Sequence, residues 1–313
     1  MSSSVLSQLS HGVSRCTHAL LYFIHTLILF TKTDINCTLV PVTLLAAASA
    51  PVRDIFHLPH AMFWLWLNIL QFDVSNQIIG LDEDKLNKQW RPLPANRMTY
   101  NQAVVFRWLL IPACWLLSAY YSRQTVYASV ALCTFTVMHN ELAMHNHWFM
   151  KNVLNGLGFA SFEVGATLIA GTDRTRLDDV AVLSVIASAG ILVTTMHSQD
   201  FRDEEGDRAI GRKTIPIVFG GMAKYMLFVP MVLWSAGLCR MWDIDVATGL
   251  VFVALTFYVG FQYLIAHSAK EFQVAFNWYT VRRDLPCTFP GFCRGSSAPA
   301  EPLMVTLLRN RSG

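Results

Sequence analysis

Long apolar stretches recur along the whole chain, separated by short polar connections, and this pattern limits the folds open to it. A helix needs about 20 mostly apolar residues to cross a bilayer. Such runs lie at 36–50, extendable back to 32, and at 58–76, 101–120, 125–143, 153–171, 179–199, 215–238 and 246–267. His18 to Phe30 is a shorter apolar stretch with polar flanks, which reads as an interfacial helix or an extra span. Pro112, Gly156, Gly158, Gly165, Gly190, Pro230 and Gly237 fall inside the runs. Membrane helices tolerate them because neighbouring helices satisfy the freed backbone groups. Only 14% of the residues are charged and 53% are hydrophobic, whereas a soluble domain carries about 25% charge. The expected fold is therefore all-α: a polytopic membrane helical bundle of about eight or nine spans embedded in lipid, with no soluble domain and no sheet.

A net charge of +3 with no concentrated basic tract excludes nucleic acid as a partner. The seven cysteines contain no CxxC pair, so neither a zinc site nor a disulfide framework is indicated. Cys114 and Cys133 sit in apolar runs and read as small core hydrophobes. The N-terminus lacks the pattern of a signal peptide. Two glycosylation triplets, at Asn36 and Asn310, are of a kind that arises readily by chance.

Two connections are long and charged, Gln77 to Thr99 and Asp200 to Thr214, with four expected spans between them. An even number of crossings returns the chain to the same face. Lys85, Lys88, Arg91, Arg97, Lys151, Arg202, Arg208, Arg212 and Lys213 gather on that face, against Arg53, Arg123, Arg174, Arg176 and Arg240 on the other. Cytoplasmic loops collect the excess of Lys and Arg. The long loops are thus expected to face the cytosol, in the endoplasmic reticulum if the cell is eukaryotic.

Within the second loop, Asp200, Asp203 and Asp207 are spaced three and four apart, which stacks them on one helix face. Like charges so placed repel unless a cation lies among them. Mg²⁺ suits a few carboxylates together with phosphate oxygens and retained water. Arg202, Arg208, Arg212 and Lys213 lie beside the ladder and suit a phosphate. The first loop repeats this logic: Asn76, then Asp82, Glu83 and Asp84, then Lys85, Lys88 and Arg91. One mixed acid–base loop between spans is ordinarily just solvated. Two on one face would form a cup for two metal ions and a diphosphate.

These residues resemble the UbiA superfamily of intramembrane prenyltransferases over roughly 32–270. Asn76 with Asp84-Lys85-Leu86-Asn87-Lys88 and Arg91-Pro92 is similar to the first aspartate-rich motif of that family. Asp200, Asp203, Gly206-Asp207 and Gly211-Arg212-Lys213-Thr214-Ile215-Pro216 is similar to the second. The resemblance implies about nine helices around a central cavity that opens sideways to lipid, with Mg²⁺ holding a polyprenyl diphosphate between the motifs. On this resemblance the catalytic residues are Asp84, Asp200, Asp203 and Asp207. The diphosphate falls to Asn76, Lys88, Arg91, Arg202, Arg212 and Lys213, and the metal to Asn76, Asp82, Asp84, Asp200, Asp203 and Asp207. The sequence also departs from the family pattern. Gln77 and Gly80 stand where the first motif usually has acids, and Gln199 where a Lys often precedes the second. That drift resembles fungal UbiA-type terpene cyclases, which ionise such diphosphates without a separate acceptor, and it favours geranylgeranyl over farnesyl diphosphate.

Ionising an allylic diphosphate requires cationic groups where negative charge develops. The carbocation then needs a dry cavity, and aromatic faces stabilise it without attacking it. Phe72, Phe159, Phe162 and Tyr225 are cavity candidates, as is Glu163, since an acid inside a span is usually functional or paired. Each aromatic taken singly reads more readily as packing. His139-Asn140-Glu141 and His145-Asn146-His147 read as a hydrogen-bonded span end in preference to a metal site. Two other functions compete with a cyclase: a prenyltransferase joining a prenyl chain to an aromatic or quinone-like acceptor, and a small-molecule transporter. The acid ladders with adjoining cations argue against transport.

Past Ala269, Arg282, Arg283 and Asp284 interrupt the apolar pattern, and Pro286, Pro290, Gly291 and Gly295 follow. The expected organisation is one catalytic domain over 1–279 and an extramembrane, poorly ordered tail over 280–313, with the last helix of the bundle missing.

Overall fold

The computed structural model describes residues 3–291, Arg53 excepted, with side chains from Ser14 onward apart from those of Leu86 and Asn87. It contains no strand among these residues, only isolated bridges such as Val52–Gly171 and His147–Lys213. Helix α1 (Ser3–Asp34) runs through a π turn at Ile35–Leu39 into α2 (Val40–Ser49). There follow α3 (His57–Ile79), α4 (Leu81–Asn87), α5 (Tyr100–Tyr121), α6 (Arg123–His139) and α7 (Trp148–Ala170). Then come α8 (Asp179–Thr195), α9 (Glu204–Ala209), α10 (Ile215–Phe219), α11 (Met222–Met241), α12 (Val246–Ile265) and α13 (Ala269–Asp284).

Among the described residues, six helices are long and apolar enough to cross a membrane: 14–49, α5, α7, α8, α11 and α12. The expected early span is thus part of one helix that includes the His18–Phe30 stretch. Two runs expected as spans, α3 and α6, are helical but fall outside the six. The first spends its length on buried Asn68, Gln71, Asp73 and Gln77, and the second has only 17 residues. Polar starts are well capped. Thr99 with Gln102, and Ser268 with Glu271, form reciprocal capping boxes at α5 and α13.

Helix α7 is the axis of the bundle, packing against α2, α3, α6 and α8. Trp64 of α3 lies fully buried against Gly165 of α7, where a Cβ would run into the indole. Its Nε1 donates to Ser118 Oγ of α5 at 2.8 Å, so the largest core side chain also satisfies its polar atom. Val52 bridges Gly171 at one end of α7, and Lys213 bridges His147 at the other. The loop after α3 and the loop after α8 meet at this second end.

The chain remains helical and packed past the expected boundary at 280. Arg282 is fully buried on α13, donating to the Met231 carbonyl and to the Ser235 and Thr256 hydroxyls. Sixteen residues therefore occupy the place of the helix expected to be missing, with the two arginines turned inward. A short 3₁₀ turn, Leu285–Thr288, continues against α2. Residues 292–313, the greater part of the expected tail, lie outside the described residues, as does Asn310.

Candidate active site

At the end of the bundle where the long loops meet, acids and cations interlock. Arg91 Nη1 lies 2.8 Å from both oxygens of Asp84, and both side chains are buried. Lys151, from the first turn of α7, donates to Asp200 Oδ1 at 2.6 Å. Arg212 Nη1 reaches Glu83 Oε2 and Asp207 Oδ1, each at 3.0 Å, and so joins the first loop to the second. Asp203 is the least engaged carboxylate, 55% exposed and 3.4 Å from Arg202. The three acids do not share one helix face as their spacing predicts: the helix breaks between them, so Asp200 ends the 3₁₀ turn after α8, Asp203 precedes α9 and Asp207 lies on α9. Burial pushes the Asp200 carboxyl above its ordinary range, with Lys151 opposing the shift. Burial, reinforced by Arg91, pulls Lys88 below its ordinary value, and Asp84 opposes.

Beneath the cup lies a cavity of about 710 Å³, within the range of roughly 300–1,000 Å³ typical of small-molecule sites. Asn76, Asp84, Lys88, Arg91, Asp200, Arg202, Asp203, Asp207 and Arg212 line its mouth. Phe72, Phe159 and Phe162 line its body, joined by Phe135, Met196 and Phe276. Asn76 lies at the end of α3, four residues before the helix-ending Gly80. The Arg202 guanidinium sits 4.2 Å over the Phe276 ring and donates to Gln273 at 3.0 Å, which holds it at the rim.

Four sequence candidates stand elsewhere. Asp82 is 95% exposed and pairs with Lys85 one turn along α4, because it faces the opposite side of that short helix from Asp84. Lys213 is exposed and is not among the cavity residues, and its backbone N–H donates to the Asn146 carbonyl. Tyr225 lies at the bundle surface, since its position on α11 faces away from α12 and α8. Glu163 faces a separate small cavity behind Phe159, where it accepts from Ser188. The histidine cluster is hydrogen bonded: His145 Nδ1 donates to the His139 carbonyl at 2.6 Å, and His139 pairs with Asn140.

Sequence reading misses the part played by Lys151, counting it only toward loop charge. It also misses Lys32, Asp34, Asn36 and Thr38, which reach the cavity around the π turn. An unusual helix class at that position is a signal visible only in three dimensions.

The cup offers hard oxygen donors, the kind Mg²⁺ takes, and each buried carboxylate already has a cation in reach. Among the described residues no three of His, Cys, Asp and Glu gather closely enough to cage an ion. Mg²⁺ is commonly held by one or two carboxylates plus substrate phosphate and water, ligands of the kind that the separate carboxylates of the cup present.

Residues 38–281 match the UbiA prenyltransferase family, and the chain belongs to it. It is 32% identical over 260 residues to the fumagillin beta-trans-bergamotene synthase af520 of Aspergillus fumigatus, covering 82% of this chain and 88% of that one. It is 30% identical over 290 residues to the diterpene cyclase eriG of Hericium erinaceus, covering 89% and 92%. Among solved structures, a UbiA homolog from Archaeoglobus fulgidus bound to GPP and Mg²⁺ superposes with a TM-score of 0.64 at 13% identity, over 85% of this chain and 98% of that one. That likeness concerns the fold. Membership of this family makes the protein a membrane enzyme of the terpene cyclase and prenyltransferase class.

Proposed function

We propose that the protein is a Mg²⁺-dependent membrane terpene cyclase of terpenoid secondary metabolism that ionises and cyclises a polyprenyl diphosphate with no separate acceptor. Geranylgeranyl diphosphate is favoured over farnesyl diphosphate, supported by the likeness to a diterpene cyclase along 89% of this chain. The observation carrying the reading is the charged cup directly above an aromatic-lined cavity. Arg91, Lys88, Arg202 and Arg212 bind and orient the diphosphate, and their charge stabilises it as the allylic C–O bond breaks. Two Mg²⁺ ions, each held by one or two of the side chains Asn76, Asp84, Asp200, Asp203 and Asp207 together with diphosphate oxygens and water, would neutralise the departing oxygens. Phe72, Phe159 and Phe162 present ring faces to the cation left behind and exclude the water that would quench it.

On this reading nine helices cross the membrane: the six apolar ones with α3, α6 and α13. Parity supports it. The Arg212 contacts to Glu83 and Asp207 require both loops on one face, so an even number of crossings lies between them. Only three of the six apolar helices fall in that interval, and α6 supplies the fourth. The loops then face the cytosol by their Lys/Arg excess.

Purified protein is incubated with labelled geranylgeranyl diphosphate and Mg²⁺ without any acceptor. Release of a cyclic hydrocarbon is expected. A strict requirement for an aromatic or quinone-like acceptor would convert the reading to prenyl transfer.

A further inference from the structure

Helix α7 carries three glycines in its apolar span, and two of them are explained by packing. A side chain at Gly156 would run into Val193 of α8, and one at Gly165 into Trp64 of α3. Gly158 has no such reason. A Cβ there would meet only Leu132 Cδ1, at an ordinary 3.9 Å. Alanine would fit, and a glycine inside a helix lowers its stability relative to alanine. What Gly158 does have is a place on the cavity wall, next to Phe159 and one turn from Phe162. Its missing side chain leaves open room along a wall of aromatic and aliphatic side chains.

From this we infer that Gly158 is a specificity-determining residue, whose bare backbone leaves space for part of the prenyl chain, so that larger side chains there shorten the chain the enzyme accepts. This rests on the proposed turnover of prenyl diphosphates. Gly158 touches no group of the charged cup, so its effect is read in the hydrocarbon and not in ionisation.

The test is a graded series, Gly158→Ala, Gly158→Val, Gly158→Leu and Gly158→Phe, assayed with C10, C15 and C20 diphosphates. Diphosphate release and the organic product are both measured. Gly158→Ala is expected to keep the chain-length preference. The larger variants are expected to lower kcat/KM for C20 relative to C15 progressively, by at least about tenfold at Phe, since even one methylene of misfit in a pocket is worth roughly 10–200-fold. A ratio that stays constant across the folded members of the series overturns the inference, as does an equal loss for all three lengths. Where Gly158→Phe does not survive purification, the Val and Leu variants decide. If the unaltered protein turns over none of the three diphosphates, the reading as a prenyl diphosphate enzyme fails and the inference with it. If it turns them over and the ratio is unmoved, only the role of Gly158 fails.

Discussion

Asp203 and Lys151 pose opposite problems at the cup. Asp203 has the freest carboxylate there, half exposed and weakly held, so it has the most capacity to bind an ion. Asp203→Ala is expected to lower turnover by at least about tenfold, the loss typical even for groups supporting a metal site. The protein should still insert and purify normally. Activity above a tenth of the unaltered enzyme at ordinary Mg²⁺ would remove Asp203 from the ligand set. Lys151 neutralises the buried Asp200. Removing one partner of a buried pair costs about 3–5 kcal/mol. Lys151→Met is therefore expected to lower the melting temperature in EDTA, and Mg²⁺ with diphosphate should restore part of it by supplying the lost positive charge. A variant as stable as the parent in EDTA would show that Asp200 does not depend on this lysine. Arg212 bridges Glu83 and Asp207. Arg212→Lys is expected to retain only part of the diphosphate affinity, because an ammonium cannot reproduce the planar guanidinium fork; affinity equal to the parent by titration would count against that geometry. The acids are legible in the sequence because their spacing is chemical. Lys151 is not, because its partner lies 49 residues away and no local pattern links them.

At the scale of elements, apolar periodicity locates most helices within a few residues, and it fails where polar residues face inward. Helix α13 looks unsuited to a bundle, with Arg282, Arg283 and Asp284 at its end. The structure answers those charges locally. Arg282 finds one carbonyl and two hydroxyls on α11 and α12, and Arg283 pairs with Asp284 and donates to the Cys37 carbonyl at the π turn. Composition cannot show such partners, so the end of the helix, from 280, reads as the start of a tail. The glycines give a paired test of packing. Gly165→Ala pushes a methyl into the Trp64 indole, and overpacking of this kind costs about 1–3 kcal/mol. At Gly237 on α11 an added methyl would meet no atom within 4 Å, and Gly→Ala in a helix interior gains about 1 kcal/mol. Thermal unfolding in detergent is expected to move down for the first and up slightly for the second. Equal shifts would mean that Trp64 moves aside freely and that α3 and α7 are not locked through this contact.

For the whole molecule, the question is how many times the chain crosses the bilayer. Helix α3 begins near Val52, which bridges Gly171 at the far end of α7, and finishes with Asn76 on the cavity at the near end. It thus runs the length of α7 despite its polar residues, two of which find partners inside the bundle: Asn68 accepts from Ser129 and Gln77 donates to the Phe30 carbonyl through its Nε2. Hydropathy sees those residues as a cost, because it has no knowledge of their partners. The same holds for α6, which is short but must reverse the chain if Glu83 and Arg212 are to meet. A shared face for the two loops is therefore a direct consequence of the cup. In a variant with its native cysteines replaced, Gln89→Cys and Glu205→Cys probe the two charged loops, and Arg176→Cys probes the α7–α8 connection. All three positions are exposed. A membrane-impermeant maleimide added to sealed vesicles whose cytosolic face is outward is expected to label Gln89→Cys and Glu205→Cys together. Arg176→Cys should react only once the vesicles are opened, as the Lys/Arg excess on the loop face predicts. Labelling of Gln89→Cys and Glu205→Cys from opposite sides would mean an odd number of crossings between them. The two motifs could not then share one cavity, and neither the cup nor the chemistry proposed for it would survive.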